Sequence, residues 1–103
     1  MCASAGNCTA VGSYSTGSKM EGLLLSERGG RWGRGVEALL PAGGTQATYV
    51  VSDRDPSVYG VSCASAGNCS AIGVYEDGAL HPHGMLLTET DGSWGRGIEA
   101  RVP

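Results

Sequence analysis

The sequence contains no phenylalanine among its 103 residues, and its aromatic side chains are two tryptophans and four tyrosines. Any core must therefore rest on aliphatic groups and a few large rings. Charge is sparse: seven Lys and Arg stand against ten Asp and Glu, a formal net charge of −3. With a pI near 5.2, that balance excludes the basic patch that nucleic-acid binding requires. No apolar run approaches the roughly 20 residues of a membrane span. No charged n-region and apolar h-region precede Cys2, so this chain is expected to carry no signal peptide. Phosphate loops, a nucleophile elbow and a paired acid/base carboxylate set are all missing. The expectation is a protein that is not an enzyme and uses no cofactor.

What the chain has instead is glycine, 18 residues of it. Together with Val, Thr, Tyr and Trp, this composition favours strands and tight turns over helices. Hydrophobic residues make up 41%, enough for a modest core in a domain of this size. The fold class expected is all-β.

The chain also repeats itself. "CASAGNCTAVGSY" (Cys2–Tyr14) returns as "CASAGNCSAIGVY" (Cys63–Tyr75), and "GLLLSERGGRWGRGVEALLP" (Gly22–Pro41) returns as "GMLLTETDGSWGRGIEARVP" (Gly84–Pro103). Such self-similarity points to a duplicated supersecondary unit. In the second copy, strands are expected at 58–65, 69–77, 84–90 and 94–102. The turns between them are marked by "AGN", "EDG", "HPHG" and "TDGS". A four-stranded antiparallel meander of this size matches one β-propeller blade. The expected organisation is a first unit at 1–41, with most of its first strand missing, a linker at 42–57 and a second unit at 58–103. In the linker, "ATYVVS" suggests a short strand and "DRDP" a turn.

Cys63 and Cys69 flank Ala66 symmetrically. If they face each other across a hairpin, Ala64 faces Asn68 and the loop is Ser65-Ala66-Gly67, with Gly67 in the left-handed position. Facing Cα atoms lie within disulfide reach. Cys2–Cys8 and Cys63–Cys69 are accordingly expected as hairpin disulfides, implying a secreted or cell-surface setting. A zinc site built from all four cysteines and free buried thiols are the competing readings. The five-residue spacing is wider than that of a zinc knuckle, and no metal is expected.

Two further patterns invite chemistry. In "WGRGVE" and "WGRGIE", a regular strand would put Trp32, Arg34 and Val36 on one face and Glu37 on the other. Trp94, Arg96, Ile98 and Glu99 repeat the arrangement. Trp near Arg suits a cation–π contact. It also suits a sugar stacked on indole, with Arg and Glu bonding its hydroxyls. The alternative is that Trp packs between units with Arg covering it. The second pattern is "LHPHG", in which His81 and His83 follow Glu76-Asp77. It offers metal-binding side chains, but the first unit has no histidine, and a solvated loop is the expected reading.

The pattern "VSCASAGNCSAIGVY…GMLLTETDGSWGRGIEA" resembles the Cys-containing tandem repeats of large secreted bacterial proteins, common in actinobacteria. The resemblance implies extracellular β-propeller architecture and a binding or surface role, with no catalytic residues. Two blades alone would leave strand edges and apolar faces open. The chain is therefore expected to act as a homo-oligomeric binding module, with carbohydrate as a candidate partner. The missing first strand would be donated by a neighbour's "ATYVVS" or "VYGVS". The alternative is a structural fragment of a longer surface protein.

Overall fold

The computed structural model describes residues 1–17, 19–45 and 57–103. All regular structure among them is β, in two antiparallel sheets, neither closed on itself. The first sheet holds β1 (Cys2–Ser4), β2 (Asn7–Thr16), β3 (Lys19–Arg28), β4 (Arg31–Trp32) and β5 (Val36–Glu37). The second holds β6 (Gly44–Thr45), β7 (Ser57–Ser65), β8 (Asn68–Asp77), β9 (Pro82–Thr90), β10 (Ser93–Trp94) and β11 (Ile98–Glu99). Each sheet is a meander whose final strand is split in two. β4 and β5 both pair with β3, and β10 and β11 both pair with β9. β6 and β7 occupy one edge of β8 in succession, Thr45 facing Glu76 and Ser57 facing Val74. The linker thus contributes a strand at Gly44–Thr45. The expected "ATYVVS" strand and "DRDP" turn lie outside the described residues. "VYGVS" pairs within its own sheet.

Alternation along the strands decides which face is buried, because successive side chains point to opposite sides. On β8, Ala71 and Tyr75 are buried while Ser70 and Ile72 are exposed; on β9, Met85, Leu87 and Glu89 are buried while Leu86 and Thr88 are exposed. The inward residues meet Leu24 of the first sheet, Ala38 and Leu40 of the segment that follows it, and Val58 from β7, in one core. Full burial of each large aliphatic side chain stabilises by about 1.5–3 kcal/mol.

The two sheets do not present the same face to each other. Leu24 is 0% exposed, yet its sequence counterpart Leu86 is 40% exposed. Leu87 is 1% exposed, yet its counterpart Leu25 is only half-buried. The first sheet uses the side carrying Thr9, Leu24 and Ser26. The second uses the opposite side, carrying Cys69, Ala71, Leu87 and Glu89. The contact is therefore front to back. Close backbone approach helps: a Cβ on Gly22 would lie 2.9 Å from both Ala38 Cβ and Val58 Cγ2.

Two sequence expectations are corrected. The strand expected at 94–102 is broken, because a bulge interrupts it: Trp94 faces Glu89 and Ile98 faces Leu86, so four steps on one strand span three on the other. The hairpin loop is also shorter than expected. Ser65 faces Asn68, leaving Ala66-Gly67 as the turn, and the register shifts at Ala64. Gly67 has φ +79 and Ala66 has no positive φ, so the turn is not of the primed type that matches strand twist. The extra residue at Ala64 adds local twist.

Candidate functional site

Both cysteine pairs form intramolecular disulfides, Cys2–Cys8 with Cα atoms 3.8 Å apart and Cys63–Cys69 at 4.0 Å. No cysteine is free. The bridges suit an oxidising, extracellular setting.

The hairpin tips they lock do a second job, which the remaining letters of "CASAGNC" explain. The Gly92 N–H donates to the Gly67 carbonyl at 2.9 Å, and the Gly30 N–H donates to the Gly6 carbonyl at 2.9 Å. The Asn68 amide donates to Ser65 Oγ, and its Oδ1 accepts from the Asp91 N–H at 3.2 Å. Asn7 does the same with Ser4 and the Gly29 N–H. Each Asn thus ties the cysteine hairpin to the turn that follows β3 in the first sheet or β9 in the second. Gly67 permits the approach: a Cβ there would lie 3.0 Å from the Gly92 nitrogen.

The bulge redistributes the Trp-Gly-Arg-Gly residues. Trp32 faces Glu27, Glu37 faces Leu23 and Val36 faces Leu24. Directly opposed residues share a face, so Trp32 and Glu37 lie on one face and Val36 on the other. The expected grouping of Trp32 with Val36 is overturned, because the extra residue inverts the alternation. Trp32 and Glu37 sit opposite positions four residues apart on β3, about 13 Å along the strand. Trp32 is 52% exposed and Arg34 is exposed. No cation–π contact joins Trp to Arg among the described residues.

The second copy is engaged differently. Trp94 packs against the core between the sheets, and its Nε1 is buried without a hydrogen-bond partner. Arg96 Nη1 donates to the Leu40 carbonyl at 2.8 Å, and the Gly97 N–H donates to the Leu39 carbonyl at 2.8 Å. Leu39 and Leu40, which follow the first sheet, are thereby seated on the Trp-Gly-Arg-Gly turn of the second. Glu99 Oε1 lies 3.1 Å from His83 Nδ1.

His83 is not in a solvated loop. It lies within β9 facing Tyr75, with the two rings stacked at 5.3 Å. Its Nε2 is 2.8 Å from Asp77 Oδ2, so both ring nitrogens meet carboxylates. Asp77 Oδ1 also accepts from the Ala79 and His81 N–H groups. These bonds, led by that to His83, lower the Asp77 pKa to about 2. The His83 pKa is raised, chiefly by its bond to Asp77. In the first sheet Glu21 stands in the position of His83 and accepts from Tyr14 Oη at 2.8 Å. That bond, aided by burial, pushes the Tyr14 pKa up to about 12. No group of three or more His, Cys, Asp or Glu side chains among the described residues is arranged to hold a metal ion.

Sequence patterning alone did not single out the polar contact between the sheets. Glu89, 2% exposed, accepts from Ser26 Oγ at 3.1 Å and from Arg28 Nη2 at 3.3 Å. Thr9 Oγ1 lies 3.4 Å from Cys69 Sγ across the same junction. A signal was there: Glu89 shares its strand parity with Met85 and Leu87. No helix among the described residues is long and apolar enough to cross a membrane. No family model, curated protein or solved structure matches the chain.

Proposed function

We propose that the protein is a non-catalytic binding module of the propeller-repeat type, in which the two sheets are successive blades and copies of the chain associate. The observation that carries this reading is the front-to-back junction. Opposite faces of two similar meanders meet, as they do between neighbouring propeller blades. The resemblance to tandem repeats of secreted bacterial proteins and the two disulfides favour an extracellular surface role. Such a module works through its sheet faces and turns.

A second reading, carbohydrate recognition, is favoured by Trp32, which is half-exposed and shares a face with Glu37 beside the exposed Arg34. An indole in that setting offers a stacking surface for the apolar side of a sugar. An immobilised glycan panel tests it. Binding that Trp32→Ala abolishes, with the sugar recovered unchanged, is the expected result of carbohydrate recognition. Failure to bind any glycan removes that reading and leaves a structural module.

A further inference from the structure

We propose that the outer face of the second sheet docks on the outer face of the first sheet of another copy, repeating the internal junction head to tail. The proposal rests on the reading of the sheets as stacked blades. It adds which surfaces meet and through which atoms.

The internal junction is the template. Its first-sheet side is built on Thr9, Val11, Leu24 and Ser26. The same positions in the second sheet are Ser70, Ile72, Leu86 and Thr88, chemically similar and pointing away from the junction. Ile72 is 57% exposed and Leu86 40%. The second-sheet side of the junction is built on Cys69, Ala71, Leu87 and Glu89. Their counterparts, Cys8, Ala10, Leu25 and Glu27, are only half-buried. The two free faces are therefore near copies of the two faces already joined, and apolar surface of this kind favours a partner.

The polar contacts carry over atom by atom. Ser26 donates to Glu89 inside the chain; Thr88 takes that role toward Glu27 of the second copy. Arg96 donates to the Leu40 carbonyl and Gly97 to the Leu39 carbonyl. In the second copy Arg34 and Gly35 stand ready for the carbonyls of Val102 and Arg101. Leu40 is 8% exposed in its seat, whereas Val102 is 86% exposed. Trp94 packs against the core; Trp32 is 52% exposed and would be covered in the same manner.

One difference makes the repeated junction weaker than the internal one. Thr90 stands where Arg28 reaches Glu89, so Glu27 would lack a guanidinium. Association is therefore concentration-dependent. Because different faces meet, it is heterologous, and it grows or closes into a ring rather than stopping at a two-fold dimer.

Sedimentation velocity over a wide concentration series tests the arrangement. Arg34→Asp blocks the first-sheet face and Ile72→Asp the second-sheet face; both residues are exposed, and circular dichroism checks that each variant stays folded. Each variant alone is expected to lose self-association at least tenfold. An equimolar mixture is expected to form a dimer and nothing larger, since only one pair of intact faces remains. Thr90→Arg is expected to tighten wild-type association several-fold, and Glu27→Gln to cancel that gain. A wild-type chain that stays monomeric, a variant that still assembles alone, or a mixture that stays monomeric overturns the proposal. If Arg28 and Glu89 still couple within the chain in that case, blade stacking survives and only the second copy is lost. If they do not couple, the stacking reading falls as well.

Discussion

Glu89 of the second sheet is joined to Arg28 of the first by a contact of 3.3 Å, with the Glu89 side chain fully buried and that of Arg28 about a third exposed. A carboxylate in that position is tolerated only because the guanidinium and Ser26 Oγ compensate its lost hydration. The pair is polar glue at one end of the junction, and it fixes which face of each sheet turns inward.

Removing one partner should cost far more than removing both. Arg28→Met leaves the Glu89 charge buried with a single neutral donor, and is expected to destabilise by about 3 kcal/mol. Replacing both, as Arg28→Met with Glu89→Leu, is expected to be close to neutral. Urea unfolding of the four proteins of the cycle measures the coupling. A double-variant loss equal to the sum of the Arg28→Met and Glu89→Leu losses would mean that the two residues do not interact.

The front-to-back contact makes matched leucines unequal. Leu24→Ala opens a cavity at a 0% exposed position, whereas Leu86→Ala trims a side chain that is 40% exposed. The first is expected to cost about 3 kcal/mol and the second under about 1 kcal/mol. Denaturant unfolding at low protein concentration compares them. Similar losses at both sites would contradict the assigned faces.

The meander itself was legible in the sequence because its signals are local. Alternation, glycine turns and the paired cysteines placed the long strands at 58–65, 69–77 and 84–90 within a residue or two. The disulfides followed from hairpin symmetry. What the sequence concealed depends on one-residue shifts. A bulge between Trp32 and Val36 exchanges faces without changing composition, so the expected clustering of Trp32, Arg34 and Val36 dissolved. A second bulge at Ala64 shortened the hairpin loop. The contact of Glu89 with Ser26 and Arg28 is a long-range pairing that no local pattern encodes. His83 was hidden by "HPHG", whose Pro and Gly suggest a loop, although Pro82 and His83 face Glu76 and Tyr75 in the sheet.

The glycine in each cysteine hairpin is fixed by two demands at once. Gly67 has φ +79, and a Cβ there would press on the Gly92 nitrogen at 3.0 Å. Gly67→Ala is expected to cost about 2 kcal/mol or more, combining left-handed strain with loss of the turn-to-turn bond. Gly12→Ala is the control, because a Cβ at Gly12 meets nothing within 4 Å; it is expected to change stability by under about 0.5 kcal/mol. Reducing both bridges should remove about 2 kcal/mol for each. Thermal unfolding with and without reductant reads all three. A Gly67→Ala protein as stable as Gly12→Ala would refute the packing of the two turns.

The bridge formed by Asp77, His83 and Glu99 predicts a bounded pH window. The Asp77 pKa falls from 3.8 to about 2 on folding, so its contribution is present above 3.8 and fades as the pH drops toward 2. The His83 pKa rises above 6.5, so its contribution is complete below 6.5 and fades as the pH climbs through the raised value. The turn between β8 and β9 is therefore held most firmly between those limits. Proton NMR of the His83 ring should give a midpoint above the ordinary imidazole value of 6.5. Asp77→Asn is expected to bring the His83 midpoint down, and His83→Gln to remove the alkaline limb of the stability profile while leaving the fold intact. A His83 midpoint that ignores Asp77→Asn would show that the 2.8 Å contact does not persist in solution.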